Sequence, residues 1–175
     1  LTIAAGLAVA EGVSHATGLH AKLKWPNDVM LEGRKLAGIL VERRMYESTA
    51  VMVVGIGVNV FASPENTSID SPATSLAEHV GTAEICRNDV IREILERLDH
   101  WIIQIITGNV ESLHKTWVQR CDMIGNHVRL MSGGVLHAGR VLDVEPLGGL
   151  LLVTDHGAHE LIPAEGATVI KETRK

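Results

Sequence analysis

Residues 24–42 constrain the folding of this chain more than any other stretch. Lys24-Trp25-Pro26-Asn27-Asp28 runs into Val29-Met30-Leu31, then Glu32-Gly33, then Arg34-Lys35 and the apolar run Leu36-Ala37-Gly38-Ile39-Leu40-Val41. Proline fixes its own φ and drives the residue before it out of the helical region, so Trp25 must be extended. Two apolar segments flanking a Glu-Gly pair read as a β-hairpin. Lys35 falls near the start of the second strand, where a charge is costly unless an anion meets it. A site for an anionic ligand follows from that cost. A lysine snorkelling from the strand edge is the other reading the residues allow.

A third strand is expected over residues 51–60, Val-Met-Val-Val-Gly-Ile-Gly-Val-Asn-Val. Gly55 and Gly57 weaken a strand unless a backbone or a ligand must approach closely. Asn59 offers both a donor and an acceptor at its end. The paired glycines do not open a dinucleotide fingerprint, because no third glycine and no helix follow.

Together, Lys24-Trp25-Pro26-Asn27-Asp28, Lys35-Leu36-Ala37-Gly38-Ile39-Leu40 and Gly55-Ile56-Gly57-Val58-Asn59 resemble the catalytic domain of biotin protein ligases. Ala73-Thr74-Ser75-Leu76 downstream fits the same pattern. The resemblance implies an α+β fold, part of a class II synthetase-like mixed sheet with helices, followed by a small SH3-like β-barrel. The family also carries a glycine- and arginine-rich loop upstream of the first motif, with no counterpart in these 175 residues. The chain is therefore expected to be a partial catalytic domain, residues 1–121, joined to the SH3-like module, residues 122–175, and impaired as a ligase on its own.

What the resemblance implies chemically is activation of biotin by ATP to biotinyl-5′-AMP, then transfer to a lysine of a biotin carboxyl carrier domain. The implied catalytic residues are Lys35 and Asp28. Biotin binding falls to Lys35, Gly38, Ile39 and Gly57, and ATP binding to Lys24, Trp25, Asn27 and Asn59. Asp28 would help hold Mg2+, which takes few protein carboxylates and keeps several waters. The residues alone leave each role open: Trp25 also reads as a core wedge, Asp28 as a turn former, and the two asparagines as backbone caps. The implied partner is the carrier protein or domain of acetyl-CoA carboxylase or a related biotin enzyme. A homodimer is allowed, and DNA only where the parent has an N-terminal DNA-binding domain. The alternatives are a non-catalytic biotin- or carrier-binding fragment, and a lipoate or octanoate ligase relative.

Composition narrows the rest. The chain is 46% hydrophobic and only 3% aromatic, so its core must be built from aliphatic side chains. A net charge of −5 argues against a general nucleic-acid surface. Cys86 and Cys121 have neither disulfide-framework nor zinc spacing, and a reduced cytoplasmic setting is the default. Nine histidines include His137, His156 and His159, a thin case for zinc without a carboxylate or thiolate partner. Residues 1–17 read as a helix with Ile3, Leu7 and Ala10 on one face, and Gly6 and Ala5 permitting close packing. They form neither a signal peptide nor a membrane span. Residues 62–72 read as a loop and 74–80 as a short helix. A longer helix capped by Asn88 carries Ile91, Ile94, Leu95, Leu98 and Ile102, and another spans 111–119. After a boundary at 121–125, short strands at 127–131, 135–144, 150–154, 159–162 and 168–170 are separated by glycine-rich turns. That pattern reads as a small barrel.

Overall fold

The computed structural model describes residues 1–64, 72–80, 85–145 and 149–173. Most of the loop expected at 62–72, and the turn at 146–148, lie outside the described residues. The elements are α1 (Thr2–Thr17), β1 (Lys22–Lys24), β2 (Asp28–Leu31), β3 (Arg34–Tyr46), β4 (Thr49–Val58), α2 (Ala77–Val80), α3 (Arg87–Ile106) and α4 (Val110–Arg120). They continue as β5 (His127–Ser132), β6 (Val135–Glu145), β7 (Gly149–Thr154), β8 (His159–Ile162) and β9 (Thr168–Thr173). Two antiparallel sheets result, with strand orders β1-β2-β3-β4 and β8-β7-β6-β5-β9. The fold class is thus α+β. The second sheet is open as paired: among the described residues β8 and β9 are its edges, with no pairing between them. The short strands and glycine turns do form a single sheet, but ladder closure into the expected barrel is not part of it.

Helix α1 is buried on all sides from Ile3 to Ala10. Such a helix must be hydrophobic all round, and its alanines and glycines let neighbours come close. A Cβ on Gly6 would touch Leu23 Cδ2 at 3.4 Å, which places β1 against this helix. A Cβ on Gly12 would lie 2.7 Å from the Ile94 backbone nitrogen, so α3 crosses almost in backbone contact. Trp101 of α3 donates from its indole to Glu11 at 2.9 Å. Gly18, at φ 75°, ends the helix by returning its N–H to the Ser14 carbonyl.

The core face of α3 is rotated from the expected one. Val90, Ile94 and Trp101 are buried, while Ile91 and Leu95 are 49% and 54% exposed. The apolar positions cover more than one face of this helix, and the indole fixes which of them turns inward. Nor is Asn88 the cap: the helix begins after Cys86, without a side-chain cap, and Asn88 sits in its first turn.

The expected boundary at 121–125 is packed rather than loose. Cys121 bridges Leu23 in parallel, and the buried Met123 sulfur accepts the Trp25 backbone N–H at 3.2 Å. His114 of α4 contacts Asp143 of β6 at 2.8 Å. Buried side chains from both sheets form one continuous hydrophobic cluster. Among the described residues no helix is long and apolar enough to cross a membrane.

These glycines separate two effects. Gly6→Ala should be neutral or stabilise by about 0.5–1 kcal/mol through helix propensity, because its methyl meets only the tip of a flexible leucine. Gly12→Ala should destabilise by about 1–3 kcal/mol, because the obstacle is backbone that cannot move aside. Urea denaturation of the two variants measures both.

Candidate active site

Register across the first sheet assembles the site. Lys24 pairs with Asp28, Asp28 with Gly38, and Gly38 with Gly57. Directly opposed residues in antiparallel strands share a face, so these four lie in one row across the whole sheet. The neighbouring row, Leu23, Val29, Ala37 and Val58, points the other way, onto α1. One face of the sheet is therefore core. The other carries a lysine, an aspartate and two glycines in sequence.

Lys35 reaches this face because of a bulge. Met30 pairs with Lys35 and Val29 with Ala37, leaving Leu36 unpaired as the extra residue. Strict alternation would put Lys35 on the α1 face with Ala37; the additional residue reverses its direction. Its ammonium lies 2.5 Å from Asp28 Oδ1. A Cβ on Gly38 would lie 3.4 Å from Lys35 Cε and 3.5 Å from Nζ, so the glycine forms the floor beneath the charge. Asp28 Oδ1 receives no properly directed hydrogen bond, so the contact is chiefly Coulombic. The hairpin turn that sets this register has Glu32 at φ 50° and Gly33 at φ 75°, the left-handed pair a type I′ turn requires.

Not every candidate reaches the row. Trp25 is 1% exposed, and its indole has no free face for a nucleotide ring. Of its two readings, the structure adopts the core wedge: the strand before Pro26 aims it inward. Ile39 is 2% exposed and shares the α1 face with Ala37, opposite to Lys35, so its side chain cannot touch a ligand on the row. Its main chain is occupied as well: Ile39 N–H donates to Asn27 O at 2.9 Å, and Asn27 Nδ2 donates to Ile39 O at 3.0 Å. Asn59 Nδ2 donates to the Thr74 carbonyl at 3.0 Å, a backbone cap. Gly57 and Gly55 are exposed on the open face. A cavity of about 570 Å³ between β4 and α3 touches Asn59, but its Ile56 and Val58 walls belong to the face opposite the row.

Sequence reasoning assigned no role to a second cluster beside Lys35. Glu78 accepts from Arg34 Nη1 at 2.7 Å, from Ser75 N–H at 3.0 Å, from Ser75 Oγ at 3.2 Å and from Thr74 Oγ at 3.3 Å. The Ser-x-x-Glu spacing of a capping box was its visible signal. The Arg34 hydrogen bond is the chief cause holding the Glu78 carboxyl down at about 2, against an ordinary 4.5.

No histidine triad forms among the described residues. His137 meets Glu160 at 3.0 Å and His127 meets Asp155 at 3.1 Å. No group of three or more His, Cys, Asp or Glu that could hold a metal ion is present among them.

The chain is similar to known proteins over most of its length. Residues 2–59, which contain α1 and the whole first sheet, match the biotin/lipoate A/B protein ligase family. The bifunctional ligase/repressor BirA of Bacillus subtilis is 30% identical over 168 residues, covering 94% of this chain and 51% of the relative. The biotin--[acetyl-CoA-carboxylase] ligase of Mycobacterium tuberculosis is 36% identical over 173 residues, covering 97% of this chain and 61% of that protein. The Aquifex aeolicus biotin protein ligase, solved in complex with biotin and ATP, superposes with a TM-score of 0.82 at 25% identity, over 99% of this chain and 71% of that one. The match to the biotin/lipoate A/B protein ligase family thus falls on residues 2–59, and the relatives that the chain is similar to over nearly its whole length are named as biotin protein ligases. It spans about half the length of the first curated relatives it matches.

A carboxylate whose folded-state pKa is depressed stabilises above its unfolded pKa and loses that contribution as pH falls through the folded one. Glu78 should therefore stabilise the chain fully above about pH 4.5 and lose that contribution toward pH 2. In Glu78→Gln the urea midpoint should fall less steeply across this window than in the unsubstituted chain.

Proposed function

We propose that the protein is a biotin–protein ligase, which joins biotin to the α-phosphate of ATP and passes the biotinyl group to a carrier lysine. The carrier is a biotin carboxyl carrier domain of acetyl-CoA carboxylase type. The observation that carries this reading is the row Lys24-Asp28-Gly38-Gly57 with Lys35 turned onto it. In the first half-reaction a biotin carboxylate oxygen attacks the α-phosphorus and pyrophosphate leaves. In the second the carrier amine attacks the biotinyl carbonyl and AMP leaves.

Both reactants of the first step are anions, and their approach needs a fixed cation. Lys35 supplies it, held over Gly38 where the missing side chain leaves room for a ligand. Asp28 keeps the ammonium in place until a ligand anion competes for it. Lys24, at the other end of the row, faces the nucleotide phosphates. Gly57 and Gly55 admit ligand along the open strand, and Asn27 and Asn59 act by holding backbone around the site. Mg2+ fits this chain as an ion carried by ATP phosphates: the chain adds one carboxylate, Asp28, already paired with Lys35.

Residues 1–121 are proposed to be catalytic and 122–175 to be an SH3-like module, with the five-stranded sheet as its framework. The Bacillus relative's name joins a repressor role to the ligase, and contact with DNA is proposed only where the parent carries an N-terminal DNA-binding domain.

The full-length protein is expected to catalyse ATP–pyrophosphate exchange only when biotin is present. Exchange that is absent, or that ignores biotin, rejects the assignment. Lys35→Ala should remove about 2–4 kcal/mol of transition-state stabilisation, because an ionic contact in a shielded site is lost. Its thermal midpoint should stay close to that of the unsubstituted protein, since the lysine stem adds little packing. Near-normal exchange by this variant would take Lys35 out of the site.

A further inference from the structure

Lys35 sits at a vulnerable place. It follows a tight turn, occupies the second position of β3, and lies next to the bulge. Its backbone is fastened by a segment outside the regular sheet. Lys35 N–H donates to Pro72 O at 2.8 Å, and Thr74 N–H donates to Lys35 O at 2.9 Å, making a parallel bridge with Ala73 between them. Whatever holds residues 72–76 thus holds Lys35.

Glu78 gathers that segment. Its carboxylate takes the Ser75 backbone and hydroxyl on one oxygen, and Thr74 and Arg34 on the other. Thr74 and Ser75 are both fully buried. Arg34, the residue next to Lys35, bridges on to His79 Nε2 at 3.2 Å, and Thr74 Oγ lies 2.8 Å from the same nitrogen. Arginine has only donors, so His79 Nε2 accepts there, and the single Thr74 hydroxyl proton is shared between that nitrogen and Glu78. Charged hydrogen bonds of this kind are shorter and stronger than neutral ones. The cluster therefore ties Thr74, one of the two backbone partners of Lys35, and Arg34, its chain neighbour, to one carboxylate.

We propose that Glu78 is a positioning residue for Lys35: through Arg34 and the 72–75 segment it fixes the lysine over Gly38 and against Asp28. The proposal rests on the reading of Lys35 as the ligand-facing cation. Glu78 itself touches no reacting group. Its effect is to keep the bulged start of β3 from opening, so that the ammonium occupies one place.

Amine reactivity tests the clamp without biotin or ATP, and so independently of the ligase assignment. Brief acetylation of the 175-residue chain with N-hydroxysuccinimidyl acetate, read by peptide mass spectrometry, compares Lys35 with Lys115, which is exposed on α4. Glu78→Ala should raise the Lys35-to-Lys115 ratio about threefold or more, since local opening releases the ammonium from Asp28. An unchanged ratio in a folded variant overturns the proposal. Should Glu78→Ala accelerate every lysine together, Arg34→Gln, which leaves the Ser75 cap intact, decides in its place: a selective rise at Lys35 supports the clamp and an unchanged ratio overturns it. In the full-length protein, Glu78→Ala should also lower the kcat of biotin-dependent exchange about tenfold, with the KM for ATP unchanged. Loss of exchange without selective Lys35 labelling would make Glu78 merely structural and end the proposal.

Discussion

Burying α1 on every side imposes the geometry on which the first sheet and its helices depend. A helix without a solvent face needs apolar neighbours all round, and its small residues at 4, 5, 6, 8, 10 and 12 set how near they come. The sheet presents one row, Leu23-Val29-Ala37-Val58, to this helix. Because strand side chains alternate, committing that row to the core commits the next one to the opposite face. Lys24, Asp28, Gly38 and Gly57 share a surface because their neighbours are buried. Packing, not electrostatics, brings the charged residues together.

Much of this was legible in the sequence, for reasons that can be named. Glu32-Gly33 adopts the left-handed turn its composition suggests, and strands β2 and β3 follow at the expected places. Gly6 packs against the sheet because a buried helix needs small residues wherever a strand passes. The short strands after residue 126 also appear, since glycine turns mark them strongly. These signals are local: each depends on a few adjacent residues.

The features that were missed depend on distant partners. The bulge at Leu36 is decided by pairing with β2, and nothing in the run Lys35-Leu36-Ala37 marks which residue goes unpaired. The resemblance gives Trp25 and Ile39 to ligand by their position within a motif, yet both side chains are buried in the core, Ile39 through strand alternation. A motif records which residues travel together without saying which face each one takes. The face of α3 was misread for a similar reason, because Ile91 and Leu95 are as apolar as Val90 and Ile94 and only contact with α1 and Trp101 selects among them. Closure of the second sheet depends on long-range pairing of its edges, which short strands alone do not specify.

The Lys35–Asp28 pair has a stability too small to explain its construction. With Lys35 35% exposed and Asp28 20% exposed, such a pair contributes at most about 1 kcal/mol. Yet a bulge, a side-chain-free floor at Gly38 and a fully buried Thr74-Ser75 segment all converge on it. A contact that is weak but closely positioned suits exchange. On the proposed function, an incoming carboxylate or phosphate competes with Asp28 for the ammonium, and its own pairing with Lys35 must offset the buried Asp28 Oδ1 it leaves behind. On that same reading the aspartate is a resting partner that keeps a cation ordered on an apolar strand. On the proposed function, this is how the site avoids ordering its lysine anew at each turnover, and why the scaffold around the pair is more rigid than the pair itself is strong.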